Sequence, residues 1–386
     1  MKLLIYQWNS WLQYDILTLC KERGIGYETF SWKFADKNED EKFIKWFTKT
    51  VECRCYDAVL SINYWPLLSR VCQEQGIKYI AWCYDNPLNV VRMEETLHNS
   101  VNYVFLFDRI QYAGYKKEGY KTVYHLPLGV NAARMKQLTI SGADYEKYQA
   151  QISFVGSLYE SELPRILAPV SEYTKGFLHA LMDMQSRVYG YYLIDDCLTE
   201  EFIEDMNRQY LEAAPGTQFR ICKEALSFAM ASEITRKDRI LLLSLCGQRY
   251  DTRLYSYQDS EVIRNVKKRP PVNYITEMPK VFACTKINLN PSLRIIQTGI
   301  PLRAFDIMGA GGFLLSNYQE ELLEIFSNEE EVAVYESLED AVCKADFYLR
   351  HEDLRKRIAD NARIKTLNEH SLQRRFETIL ITTGLK

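Results

Sequence analysis

Residues 284–326, CTKINLNPSLRIIQTGIPLRAFDIMGAGGFLLSNYQEELLEIF, decide the fold. Lys286, Asn288 and Asn290 alternate with Ile287 and Leu289, the two-residue period of a strand. Gly299 and Pro301 punctuate the loop that follows, and Pro301 suits a first helical turn, where its missing N–H is no loss. The spacing predicts a helix over 302–308, stopped by Gly309, Gly311 and Gly312. A short apolar strand follows over 313–316, then a loop at Asn317 and a helix over 319–326. Strands and helices alternating in this way predict a parallel, doubly wound α/β sheet. Arg303 stands in the first turn of its helix, where the macrodipole disfavours a cation. A phosphate docked there would reverse that sign. Asp306 shares the face of Arg303, so a plain surface ion pair competes with this reading.

Working towards the N-terminus, strands are predicted over 2–6, 27–32, 57–62, 78–83, 101–107 and 122–126. Helices are predicted over 12–23, 39–49 and 66–75. Ligands of such sheets bind at the carboxyl ends of the strands. Three of these ends carry polar groups. Asn9 and Ser10 follow the first strand and read best as helix caps. Asp85, in WCYDNP, follows an apolar strand directly, where a carboxylate can act as general base towards an acceptor hydroxyl. The competing reading of Asp85 is a turn or cap before Pro87. Asp108 and Arg109 read as a cap and its neighbour, and His98 and His125 as structural.

A polar stretch, 131–151, leads to a strand over 152–155 that ends in Gly156 and Ser157. These small residues let backbone amides approach a pyrophosphate closely. Residues 160–247 are mainly helical by periodicity, with the apolar RILLLSLCG (239–247) reading as a buried helix. An extended segment is expected over 253–257, another over 272–275 before a helix carrying Met278 and Pro279. Helices are expected over 336–350, 352–368 and 373–383.

At 386 residues the chain is long enough for two or three cores. A net charge of −3 leaves no basic footprint for nucleic acid or an anionic membrane. The 27 Tyr and 17 Phe are ascribed mainly to cores. The ten cysteines show no CxxC or Cys/His metal spacing. MKLLIYQWNS lacks the apolar run of a secretory signal, and no segment approaches the length of a membrane span. A cytoplasmic location is expected.

INLNPSL (287–293), GIPLRAFDIMGAGGFLLSNYQEEL (299–322) and YESLEDAV (335–342) resemble the C-terminal half of the CgeB-like (spore maturation protein-like) glycosyltransferase family. LPLGV (126–130) resembles the end of that family's first domain, and the family also carries an Asp-x-Pro at the position of Asp85. The resemblance implies a GT-B fold, with two Rossmann-like domains facing a cleft. An acceptor-side domain would occupy 1–150. A donor-binding domain would occupy 151–386, with a helical insertion near 160–247 and a last helix returning to the first domain. It also implies transfer of a sugar from a nucleotide-sugar donor to an unidentified acceptor: a protein, a polysaccharide precursor or a small molecule. Asp85 would be the catalytic base. Gly156, Ser157, Arg294, Gly299 and Arg303 would hold the diphosphate, Asp306 the ribose, and Asn317, Tyr318 and Gln319 the sugar or phosphate. Retaining GT-B enzymes often carry two glutamates eight positions apart; the matching places here are Thr298 and Asp306, so the first acid is missing. No Asp-x-Asp occurs in the chain, so transfer without a metal or other cofactor is expected. Two further readings stay open: a nucleotide-sugar epimerase or hydrolase on the same fold, and a non-catalytic nucleotide-sugar-binding or scaffold protein. An oxidoreductase is disfavoured, since no G-x-G-x-x-G follows the first strand.

Overall fold

The computed structural model describes residues 1–8, 10–34, 36–88, 90, 92–258 and 261–386. They form two compact units, each described by itself. The first contains Met1–Ala133, Gly299–Leu302 and Leu367–Lys386, the second Arg134–Thr298 and Arg303–Thr366.

The first unit runs β1 (Lys2–Tyr6), α1 (Gln13–Glu22), β2 (Gly26–Phe30), α2 (Glu41–Cys53), β3 (Ala58–Ile62), α3 (Pro66–Glu74), β4 (Lys78–Trp82), α4 (Glu94–Leu97), β5 (Asn102–Leu106), α5 (Arg109–Lys117) and β6 (Val123–His125). Its strands pair in parallel in the order β2-β1-β3-β4-β5-β6. β3 (AVLSI) is buried along its whole length, as expected of a central parallel strand covered by helices on both faces. The strand order reverses between β1 and β3, and Trp8 Nε1 donates to Ile62 O at 2.9 Å beyond their carboxyl ends. Ser10 does not cap α1: the N-cap position is Leu12, which makes no side-chain bond. The other expected cap, Asn9, lies outside the described residues.

The chain continues through α6 (Ala132–Lys136), α7 (Gly142–Tyr148), β7 (Ala150–Val155), α8 (Leu163–Leu167), α9 (Glu172–Gln185), α10 (Ile194–Cys197), α11 (Glu200–Ala213), α12 (Lys223–Gly247), β8 (Thr252–Tyr255) and β9 (Lys267–Arg269). Then come α13 (Met278–Cys284), β10 (Thr285–Asn290), α14 (Leu302–Gly309), β11 (Leu314–Asn317), α15 (Glu320–Ile325), β12 (Ala333–Tyr335), α16 (Leu338–Arg350), α17 (Glu352–Glu369) and α18 (Leu372–Thr382). The second sheet, also parallel throughout, has the order β12-β11-β10-β7-β8-β9. Its order reverses between β7 and β10.

The alternation along β10 separates the two faces of this sheet. Ile287 and Leu289 join the core that also holds Ile240, Leu242 and Leu243 of α12 and Ala341 and Ala345 of α16. Asn288 points the other way, donating to Phe282 O of α13 at 3.1 Å. The end of α14 follows from its glycines. The Gly312 amide donates to Ile307 O at 2.9 Å and the Gly311 amide to Met308 O at 3.0 Å. Gly311 stands at φ 82°, the left-handed position that closes a helix and that a side chain would strain.

Three elements differ from expectation. The bridge at 131–151 is partly helical, since Ser141 and Asp144 form a reciprocal capping box at the start of α7. β9 is the exposed run Lys-Lys-Arg, an edge strand whose charge discourages further pairing and hides the strand from a hydrophobicity reading. β12 is three residues long, too short for its period to register. At the end of the chain, α18 packs on α1 within the first unit.

Candidate functional site

In the first unit Asp85 follows β4, and its carboxylate accepts a hydrogen bond from Asn63 Nδ2 at 2.5 Å. Asn63 follows β3 at φ 58°, a left-handed conformation that asparagine tolerates better than most residues. From there its Oδ1 accepts the Tyr84 and Asp85 amides at 3.0 and 3.3 Å. One side chain thus joins two neighbouring strand ends and aims the acid. Crowding around Asp85 raises its carboxyl pKa above the ordinary value, and the Asn63 bond partly opposes the rise.

Asp108 caps α5, accepting the Ile110 and Gln111 amides at 2.9 and 3.1 Å. Its second oxygen accepts the Gly299 amide at 3.2 Å, so that amide is engaged within the protein. A Cβ at Gly299 would lie 2.8 Å from both Asp108 Cα and Phe107 Cδ2, which leaves glycine as the residue that fits. His98 stacks on Tyr120 at 4.3 Å and His125 tilts against Tyr112 at 5.9 Å.

In the second unit the polar side chains gather at the carboxyl ends of β7, β10 and β11. Gly156 was expected to offer its amide to a phosphate; instead it donates to Tyr255 O at 3.1 Å, prolonging the β7–β8 pairing by one residue. Ser157 Oγ donates to Gln258 Oε1 at 2.7 Å and accepts the Tyr159 amide at 2.8 Å. Arg239, a site residue that the sequence reading passed over, spans the point where the strand order reverses. Its Nη1 donates to Ser157 O beyond β7 at 2.6 Å, while Nε and Nη2 donate to Pro291 O beyond β10 at 3.1 and 2.7 Å. The guanidinium also lies 5.0 Å from the Phe154 ring centre and 4.8 Å from that of Tyr159. Burial pulls its pKa below the ordinary arginine value. The signal available in sequence was a cation on the buried face of an apolar helix.

Beyond β10 and β11, Asn317 Oδ1 accepts the Ser292 amide at 2.7 Å, and Ser292 Oγ donates to Gln319 Oε1 at 3.4 Å. Thr298 Oγ1 donates to Glu321 Oε1 at 2.8 Å, and the Glu321 amide returns to Thr298 O at 3.2 Å. The Tyr318 amide donates to Tyr335 O at 2.9 Å and is likewise engaged. Thr298, Asn317 and Gln319 are therefore brought together, with Ser292 and Glu321 as partners the sequence did not nominate. Glu321 is a buried acid set against the threonine that stands where retaining GT-B enzymes carry their first glutamate.

Arg303 and Asp306 sit apart from that cluster, on the α13 side. The two groups approach to 3.8 Å; Asp306 is 1% exposed and Arg303 26% exposed. Asp306 accepts a hydrogen bond from Tyr274 at 3.1 Å. Arg303 Nη1 meets the Met278 sulfur, and its guanidinium lies 5.7 Å from the Phe282 ring centre. Arg294 does not join a ligand-facing set. Its Nε bonds Asp238 at 2.7 Å, Nη1 and Nη2 bond Val188 O and Ser186 O, and the whole group stacks 3.7 Å from Tyr189. A buried guanidinium with all its nitrogens engaged is a structural strut. Among the described residues no group of three His, Cys, Asp or Glu side chains gathers as a metal site. No helix among them is long and apolar enough to cross a membrane.

No curated protein matches the chain in sequence. Residues 210–381 match a family model described as "Glycosyl transferase-like". Among solved structures, the chain is similar to a glycosyltransferase from Rickettsia africae, with 11% identity, TM-score 0.51, and 100% of this chain and 98% of that one covered. It is similar to Anabaena Alr3699/HepE in complex with UDP and glucose, with 9% identity, TM-score 0.54, and coverage of 100% and 99%. Sucrose-phosphate synthase from Thermosynechococcus elongatus aligns with 10% identity, TM-score 0.57, and coverage of 100% and 99%. At such identities the likeness is one of fold: the chain is an α/β protein of the GT-B class with two doubly wound Rossmann-like units, and residues 210–381 carry its glycosyl transferase-like sequence.

Proposed function

We propose that the chain is a glycosyltransferase that moves a sugar from a nucleotide-sugar donor to an acceptor hydroxyl. The observation that carries this reading is the second unit's switch point, where Arg239 joins the ends of β7 and β10 beside the Ser292–Asn317–Gln319 cluster. That unit also contains most of the stretch matched to the glycosyl transferase-like family. Ligands of open α/β sheets bind at such a point. UDP and glucose occupy the Anabaena neighbour, which favours a uridine donor here.

In this mechanism Asp85 takes the proton of the acceptor hydroxyl as that oxygen attacks the anomeric carbon. The bond from the anomeric carbon to the diphosphate breaks, and the leaving nucleotide carries away the electron pair. The raised pKa of Asp85 makes it a stronger base than an ordinary aspartate. Arg303 and the start of α14 stabilise the departing diphosphate without a metal ion, while Asp306 receives the ribose. Asn317 and Gln319 hold the sugar. Cytoplasmic location and kinship with the CgeB-like family complete the proposal.

The first test is thermal unfolding with UDP, GDP, CDP and ADP and their common sugars, with and without chelator. A nucleotide at about a hundred times its dissociation constant stabilises by roughly 2.7 kcal/mol. We expect one series, uridine first, to raise the midpoint regardless of chelator, and Arg303→Ala to abolish the rise. No response to any nucleotide would overturn the donor site. Transfer to an added acceptor separates a transferase from an epimerase, a hydrolase or a scaffold.

A further inference from the structure

The second unit contains a cavity of about 580 Å³, lined by the loop after β7 (Leu158, Tyr159, Glu160, Ser161), by Glu233, Arg236 and Ile240 of α12, and by Tyr257 and Gln258 after β8. Its size falls within the roughly 300–1,000 Å³ of small-molecule sites. It stands on the α12 side of the sheet, whereas Arg303 and Asp306 lie with α13 on the other.

The chemistry of the lining selects its occupant. Two acids, Glu160 and Glu233, outnumber the one cation, Arg236, so a phosphorylated ligand is repelled. Tyr257 is 84% exposed, an uncovered ring beside polar groups. Ser161 Oγ and Glu233 Oε2 are shielded from solvent and make no hydrogen bond among the described residues; Arg236 comes no nearer to Glu233 Oε2 than 3.7 Å. Shielded acceptors of this kind carry a cost that a hydroxyl-bearing ligand removes. A flat aromatic face together with carboxylate and hydroxyl acceptors matches the C–H faces and hydroxyl pairs of a sugar ring.

We propose that this cavity is a saccharide-binding subsite, separate from the donor site, that holds a neutral sugar against Tyr257 with its hydroxyls on Glu233 and Ser161. Gln258, whose Oε1 already accepts from Ser157 and the Leu158 amide, ties the subsite to the loop after β7.

Saturation-transfer NMR on the full chain tests this, using cellotriose, maltotriose and chitotriose as probes with and without saturating UDP. The expected result is transfer to at least one probe, unchanged by UDP, and reduced at least threefold in Tyr257→Ala and Glu233→Gln variants that melt like the parent. No transfer to any probe, equal transfer in both variants, or loss of transfer on adding UDP would overturn the subsite. UDP binding without saccharide transfer leaves the donor reading intact and removes this one; saccharide transfer without nucleotide binding does the reverse.

Discussion

Asn63 shows how much one side chain organises. Its left-handed backbone presents the amide group to Tyr84 and Asp85 together, so Asp85 is aimed by a residue on the neighbouring strand. Asp85→Asn is expected to keep the Asn63 contact, since an amide oxygen still accepts, but to lose the base, lowering kcat about 10²- to 10⁴-fold. The stability effect has the opposite sign. A carboxyl whose folded pKa is raised binds more protons folded than unfolded, so its charged form costs stability as pH rises through the folded pKa. The variant should therefore melt no lower than the parent at pH 7, and a clear drop in midpoint would make Asp85 structural. The same raised pKa places the acid limb of the pH–rate profile above the ordinary aspartate value of about 3.9. Arg239 is different in kind: Arg239→Met strands two backbone carbonyls, and urea titration should show a loss on the order of 3 kcal/mol. Asp85 was legible because it directly follows an apolar strand. Asn63 was not, since nothing in the sequence pairs it with a residue across a strand gap.

Among the elements, α7 and α13 are joined by charge. Lys147 meets Glu277 at 3.0 Å, Asp144 meets Lys280 at 2.9 Å, and Tyr148 donates to Glu277 at 2.8 Å. The Asn273 amide first, then Tyr148 and Lys147, hold the Glu277 carboxyl down to about 2. Lys280 and Ser141 hold Asp144 down to about 2. Depressed carboxyls contribute stability above their unfolded values and lose it as pH falls through the folded ones. The midpoint should fall between about pH 4.3 and pH 2, and Glu277→Gln should flatten that limb, as thermal melts across the range will show. An unchanged limb would mean that solvent screens the pairs completely. Gly299→Ala drives a Cβ into Asp108 and Phe107, and the midpoint should drop by several degrees. These pairs escaped the sequence reading because 131–151 looked like a polar linker, and a linker offers no register in which to match charges.

For the whole molecule, the informative element is the last helix. α18 buries Leu372, Phe376 and Ile379, each contributing roughly 1.5–3 kcal/mol. Lys78 Nζ donates to Thr383 O at 2.7 Å and Arg23 Nη2 to Gln373 O at 3.3 Å. The buried residues alone amount to several kcal/mol, comparable with the roughly 5–15 kcal/mol net stability of a domain. Removing residues 372–386 should therefore unfold the first unit, making it sensitive to proteolysis while the second resists; a truncated chain that melts like the parent would refute this. What the sequence determined by itself was local: strand and helix periods, glycine stops, and a parallel doubly wound class, because these depend on neighbours within a few residues. The candidate cluster around Ser292, Asn317 and Gln319 was half visible, since residue type and position after a strand nominate a residue without naming its partner. Arg294 and the Gly156 amide were nominated on the same grounds, and tertiary packing gave both to the protein interior. Arg239 and the return of α18 were decided by the tertiary structure alone. Each depends on which distant strands and helices become neighbours, and chain topology fixes that while local sequence does not.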